Sequence, residues 1–200
     1  MELVINEDVA PEMVWLDLET LGTNEKAHPI IEVGGIVTDR RGEERSRFSS
    51  VVGYGKEYLM PRITREALDP AVYEMHTKNG LLEEVQAASG LVDLGHIEWR
   101  RPEVERAFIE WLDVTTNGAG QYAMCGASIH FDRRFLAAQM PRLESWFHYR
   151  NYDISTIIAL GKLVNNKCTI EKRGIHRALP DCEDEISAQK WAVGDLVRAA

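Results

Sequence analysis

Cysteine is scarce in this 200-residue chain: Cys125, Cys168 and Cys182 are three, an odd number, and no two have C-x-x-C spacing. That argues against a disulfide framework and against a cysteine zinc site. The thiols read as reduced, which points to a cytosolic compartment. No run of about 18 apolar residues occurs, so no transmembrane helix and no membrane partner are expected. The N-terminal MELVINEDVAPEM has neither a basic region nor a long apolar stretch, so no signal peptide is expected. Positive charge is in deficit: 23 Lys and Arg against 32 Asp and Glu leave −9. A protein that coats long duplex DNA needs a broad basic surface, so that class is disfavoured. Gly (15) and Pro (7) are too few for a collagenous or low-complexity chain.

What is present is an ordinary globular composition, 44% apolar and 28% charged. The length fits one domain and can bury a sizeable core. There is no internal repeat and no composition break, so residues 1–200 are expected to form a single domain with its core over about 13–198.

Met13 to Leu18 and Ile30 to Thr38 are apolar runs that read as buried strands, the second with a Gly34-Gly35 pair that suggests a bulge or a close backbone approach. Phe48 to Val52 is a third strand. Pro70 to Met75 and Leu81 to Ala88 look helical, with a break over His76 to Gly80. After Pro102, Val104, Phe108, Trp111 and Leu112 recur on one helical face. Gln121 to Cys125 reads as a short strand, Phe131 to Met140 as a helix, and Pro141 to Phe147 as a further turn. Tyr152-Asp153 reads as a strand end and Ile154 to Val164 as a helix. Asn165 to Pro180 is loop-like, and Glu183 to Val197 is an amphipathic helix with Ile186, Trp191, Val193 and Leu196 among its apolar positions. Strands first, then alternating helix and strand, predict an α/β domain with a mixed sheet flanked by helices. Leu91 to Arg101 has no assignment.

Three features carry candidate chemistry. Asp17 and Glu19 stand two apart on the first strand and so share a face. Two carboxylates there repel and are costly to desolvate unless a cation or solvent meets them. D-x-E alone is weak, and a strand end exposed to water explains it equally. Asp132 follows the strand that ends in Gly126 and falls in a first helical turn, where the helix dipole favours a carboxylate in any protein. Arg133 and Arg134 beside it read as a solvated helix face. His176 and Asp181 form the third feature, which alone is a loop histidine and a helix-capping aspartate. Together the four carboxylates on three segments, with one His, suit two hard divalent cations and a general base. Two such ions about 4 Å apart can clamp the attacking and leaving oxygens of a phosphodiester, and a His can take the proton of an attacking water. The acidic balance is compatible with such a site.

The D-x-E, D and H-x-x-x-x-D pattern resembles the DEDDh branch of the 3′→5′ exonuclease superfamily, and within it the oligoribonucleases. The likeness extends over Trp15-Leu16-Asp17-Leu18-Glu19, Ile30-Ile31-Glu32, Met75-His76-Thr77, Asp132-Arg133-Arg134-Phe135-Leu136, Phe147-His148-Tyr149-Arg150 and Asp153-Ile154-Ser155-Thr156, nearly the whole chain. The resemblance implies a ribonuclease H-like fold and hydrolysis of short single-stranded RNA, with DNA as an alternative, to 5′-mononucleotides. It implies two Mg²⁺ or Mn²⁺ ions held by Asp17, Glu19, Asp132 and Asp181, with His176 as base. His76 and Ser128 would lie near the nucleotide. Tyr149 and Arg150, with Ser155 and Thr156, would reach across a homodimer to the partner's site, in the cytoplasm. Arg150 suits phosphate because a guanidinium fork binds its oxygens in pairs. A helix from Phe131, rising about 1.5 Å per residue, is expected to carry Tyr149 away from its own Asp132.

Three positions depart from the family pattern. Thr23 stands where a Leu is usual, Ala71 where a Trp is usual, and Pro180 where an acid is usual. Loss of an aromatic platform removes about 1–3 kcal/mol of base stacking, which leaves the hydrolytic residues in place and opens strict dinucleotide preference to question. The competing readings are a general single-strand or proofreading exonuclease, and a catalytically silent nucleic-acid-binding or scaffolding homologue.

Overall fold

A computed structural model describes residues 12–165 and 173–196. Cys168, Val197 and the side chain of Leu196 lie outside the described residues. β1 (Met13–Thr20) and β2 (Ile30–Thr38) pair antiparallel, and β3 (Glu44–Val51) pairs antiparallel on the far side of β2. β4 (Met124–Gly126) and β5 (Asn151–Asp153) are parallel additions on the other side of β1, giving the order β3-β2-β1-β4-β5. The sheet is therefore mixed, as expected. The helices are α1 (Lys56–Leu59), α2 (Pro70–Lys78), α3 (Leu81–Asp93), α4 (Arg101–Thr115), α5 (His130–Gln139), α6 (Pro141–Trp146), α7 (Ile154–Asn165) and α8 (Ala178–Trp191). No described helix is long and apolar enough to cross a membrane.

β1 is covered on both faces, which is why it reads as a continuous apolar run. Val14, Leu16 and Leu18 pack with Phe108 and Leu112 of α4 and Leu136 of α5. Trp15, with Ile36 of β2, packs on the opposite face with Cys182 and Ile186 of α8. The Gly34-Gly35 pair marks close approaches: a Cβ on Gly34 would lie 2.7 Å from Ala178 Cβ, and one on Gly35 would lie 2.6 Å from Phe108 Cζ.

Several boundaries differ from the sequence reading. α2 runs on through His76 to Lys78, so the expected break shortens to Asn79 and Gly80, and α8 ends at Trp191 before a π-helical turn over Ala192–Leu196. β3 begins at Glu44, because its ladder with β2 runs from Glu44 to Val51 through side chains that are mostly polar. The strand expected at Gln121 pairs only from Met124, while Tyr122 stacks on Trp146 at 5.9 Å instead. α8 starts at Ala178 rather than Glu183, with Pro180 in its first turn, where a missing N–H forfeits no helical hydrogen bond. α3 continues to Asp93, and a turn at Gly95 (φ +97°) and a 3₁₀ segment at Ile97–Trp99 complete the unassigned stretch.

Candidate metal centre

Strand alternation puts Asp17 and Glu19 on the Trp15 face of β1, toward α8. Gly34 pairs with Asp17 across the ladder. Having no side chain, it lets the first turn of α8 lie against the sheet at that point, which brings Asp181 to the pair. Carboxylate oxygens of Asp17, Glu19 and Asp181 all lie within 4.8 Å of one another. Asp181 is thus not the cap of α8; Arg177 occupies that position without a side-chain cap. Asp132 comes from β4 and the first turn of α5. It is buried, and its Oδ1 accepts a hydrogen bond from the Leu18 N–H at 3.1 Å, between the two β1 acids.

The electrostatics are those of crowded, desolvated carboxylates. Burial, then repulsion from Asp132, Glu185, Glu19 and Asp181, holds the Asp17 carboxyl well above the usual range. Its Oδ2 is enclosed without a hydrogen-bond partner among the described residues. Glu19 is pushed up to about 8, first by burial and then by Asp181, Glu32 and Asp132, against the opposing Arg177. A donor set made only of oxygens, already short of counter-charge, suits a hard divalent cation.

Glu185 escaped the sequence reading. It lies four residues after Asp181, one turn along the same helical face. It is 3% exposed, accepts from the Ala127 N–H at 2.6 Å, and adds to the charge around Asp17. The i, i+4 spacing was the available signal.

His176 stands exposed just before α8 with φ +54°, in the left-handed region. His76 is fully buried. Its Nε2 lies 3.0 Å from the Thr20 carbonyl oxygen, and its Nδ1 has no hydrogen-bond partner among the described residues. Burial holds its imidazole below the ordinary value, against the raising effect of that carbonyl, and the Thr20 contact ties α2 to the end of β1. Ser128, also at φ +54°, donates its N–H to Asp153 Oδ1 and to Ser155 Oγ, both at 3.0 Å. Those two residues therefore meet at the ends of β4 and β5, and Thr156 lies exposed beside them. A cavity of about 710 Å³ adjoins His176, lined by Ala71, Met75, Lys78, Asn79 and Ile175 among others.

One expectation beside Asp132 is corrected in part: Arg134 is exposed, as expected of a solvated face, whereas Arg133 is largely buried. Arg134 reaches the Thr23 carbonyl and pairs with Glu25 in the β1–β2 loop. Arg133 donates to the carbonyls of Tyr149 and His148, both at 2.6 Å, and pairs with Glu144. α6 folds back on α5, and the backbone of the run through Tyr149 and Arg150 is tethered to α5 by these Arg133 bonds. The Tyr149 side chain itself is 75% exposed, with the Arg150 guanidinium 5.5 Å from its ring centre.

No protein-family model matches the chain. It is 34% identical over 181 residues to an oligoribonuclease of Nitrosomonas europaea, covering 90% of this chain and 92% of that one. It is 32% identical over 191 residues to an oligoribonuclease of an Azoarcus species, covering 94% and 96%. Among solved structures it resembles the metal-free form of an E. coli exonuclease I complex with single-stranded DNA, with a TM-score of 0.65 and 14% identity over 94% of this chain. The exonuclease I of Methylocaldum szegediense gives a TM-score of 0.60 at 15% identity. The chain spans 40% and 41% of the length of these two structures. At such identity the likeness shows the shared ribonuclease H-like fold alone.

Proposed function

The chain belongs to the oligoribonuclease family, and from that premise we propose a metal-dependent 3′→5′ exonuclease that hydrolyses short single-stranded RNA to nucleoside 5′-monophosphates. The observation that carries this reading is the convergence of Asp17, Glu19 and Asp181 within 4.8 Å, with Asp132 anchored to the same strand at Leu18.

In this reading Asp17, Glu19, Asp132 and Asp181 hold two Mg²⁺ or Mn²⁺ ions. Bound there, the ions supply Lewis-acid stabilisation of charge on the phosphodiester. The chain's own residues do the rest. His176, exposed just before α8, accepts the proton of the attacking water. Ser128 faces the nucleotide, His76 fixes the floor beneath it, and Ser155 and Thr156 act with Tyr149 and Arg150 across the dimer. Tyr149 and Arg150 project from a tethered backbone onto a second copy of the chain and bind the 5′ phosphate in its site. Their exposure supports a homodimer with composite sites, as do the exposed Leu160 and Leu163 on α7. The free, buried thiols of Cys125 and Cys182 fit a reducing, cytoplasmic setting.

One observation favours a second reading, a general single-strand exonuclease acting on RNA or DNA. The cavity beside His176 opens where Ala71 leaves space, which relaxes any limit on the base or strand accepted there. Rates on RNA and DNA strands of two to seven residues separate the two. A steep preference for the shortest RNA supports the first reading, and rates that are flat or rise with length support the second. A catalytically silent binding homologue is disfavoured because all five motif residues are present.

A further inference from the structure

His176 adopts a left-handed backbone conformation that few non-glycine residues take (φ +54°). The short segment 173–177 that carries it is pinned at both ends. At its start, the Arg173 N–H and Nε donate to Asp184 of α8 at 2.9 and 2.6 Å. At its end, Arg177 spreads its guanidinium over Glu32 of β2 and Glu84 of α3, and the Ala178 N–H also donates to Glu32. The middle, where His176 itself sits, is held among the described residues by the Asn79 side chain. Asn79 Nδ2 donates to the carbonyls of Ile175 and His176, at 3.3 and 2.5 Å.

Asn79 is itself immobilised. Its N–H closes the last turn of α2 on Met75, and its Oδ1 accepts the Leu81 N–H at 3.0 Å to start α3. Gly80, at φ +81°, makes the corner between them. The two ends of the one amide therefore act separately. The oxygen joins two helices, and the nitrogen fixes the residue read as the general base. Among the described residues these side-chain bonds of Asn79 all go to backbone groups, and none goes to an acid of the cluster.

We propose that Asn79 is a positioning residue for His176, transmitting the rigid α2–α3 corner to the His176 backbone so that the imidazole meets the attacking water. This rests on the reading of His176 as the base. Small misplacements of a catalytic group cost up to about 10²-fold in rate.

The test is a double-mutant cycle with Asn79→Asp and His176→Ala. Asp keeps the oxygen that accepts from Leu81 and loses the donors to His176. Asn79→Ser repeats the loss without adding charge, with melting temperature and circular dichroism as controls for folding. In either Asn79 variant, kcat is expected to fall about tenfold to hundredfold, with KM and the Mn²⁺ titration within about twofold of wild type. In the His176→Ala background the same substitution is expected to add less than about twofold, since the base it positions is gone. Wild-type kcat in both Asn79 variants overturns the proposal. So does a loss that simply multiplies in the double mutant, which assigns Asn79 to helix structure alone. If His176→Ala by itself retains near-wild-type kcat, the general-base reading fails first, a result distinct from failure of the Asn79 link.

Discussion

The Leu18 N–H donates to Asp132 Oδ1 at 3.1 Å across 114 positions of sequence, and this bond, with the packing of Leu136 on β1, ties α5 to the acidic end of that strand. It also separates two contributions of Asp132 that a single substitution confuses. Asp132→Ala strands a buried donor, which costs about 1–3 kcal/mol. Asp132→Asn keeps an acceptor for Leu18 and removes a charge from a crowded cluster. Both variants are expected to lose turnover. Only the alanine variant is expected to melt lower than wild type without metal. Turnover near wild type in Asp132→Asn removes Asp132 from the site.

Gly34→Ala tests how the site is assembled. The added Cβ meets Ala178 Cβ at 2.7 Å and the Ala178 carbonyl carbon at 3.1 Å, so the first turn of α8 must shift and take Asp181 with it. Overpacking of this kind costs about 1–3 kcal/mol. The variant is expected to melt a few degrees lower, to bind Mn²⁺ more weakly and to turn over more slowly. Ala178→Gly in the same chain restores part of each loss. Unchanged Mn²⁺ affinity in Gly34→Ala contradicts this account of Asp181.

The raised Glu19 gives a signed pH dependence. Its carboxyl binds a proton more tightly in the folded chain, at about 8, than at its ordinary value of 4.5. Its contribution is therefore full below about 4.5 and is lost as pH rises through about 8. Metal-free protein is expected to lose melting temperature across that window. The gain on adding Mn²⁺ is expected to grow with pH, because the cation replaces the proton. A metal-free melting temperature that rises from pH 5 to 8 opposes this picture.

How much of this the sequence discloses depends on whether a signal is local. β1 is legible as a short apolar run of strand formers, and α4 because Val104, Phe108 and Leu112 recur on one helical face. The acids are visible as residue types, and only the likeness over the whole chain joins three segments into one site. What stays hidden depends on distant partners. Arg133 and Arg134 have the composition of a solvated face, and their tethers to Tyr149 and Thr23 come from segments 16 and 111 residues away. The start of α8 is masked by Pro180, which usually signals a break but here occupies a first turn. Glu185 blends into an acidic run, although its spacing from Asp181 places it on the buried face.

Tyr149 is exposed on a backbone that Arg133 fixes, so complementation decides which chain it serves. Asp132→Ala and Tyr149→Ala homodimers are each expected to be nearly inactive. Co-refolded equal mixtures are about half heterodimer with one intact composite site each, so recovery is expected near one quarter of wild type. No recovery in a verified heterodimer assigns Tyr149 to its own chain's site.

The central claim concerns polarity and product chemistry, and a time course on a 5′-labelled RNA heptamer tests it directly. With Mg²⁺ or Mn²⁺ the label is expected to descend one nucleotide at a time, with nucleoside 5′-monophosphates released throughout. Chelator, or Asp17→Asn with Asp181→Asn, is expected to stop the descent. Internal cleavage, release of 3′-monophosphates, or an intact heptamer at high enzyme and metal would contradict it.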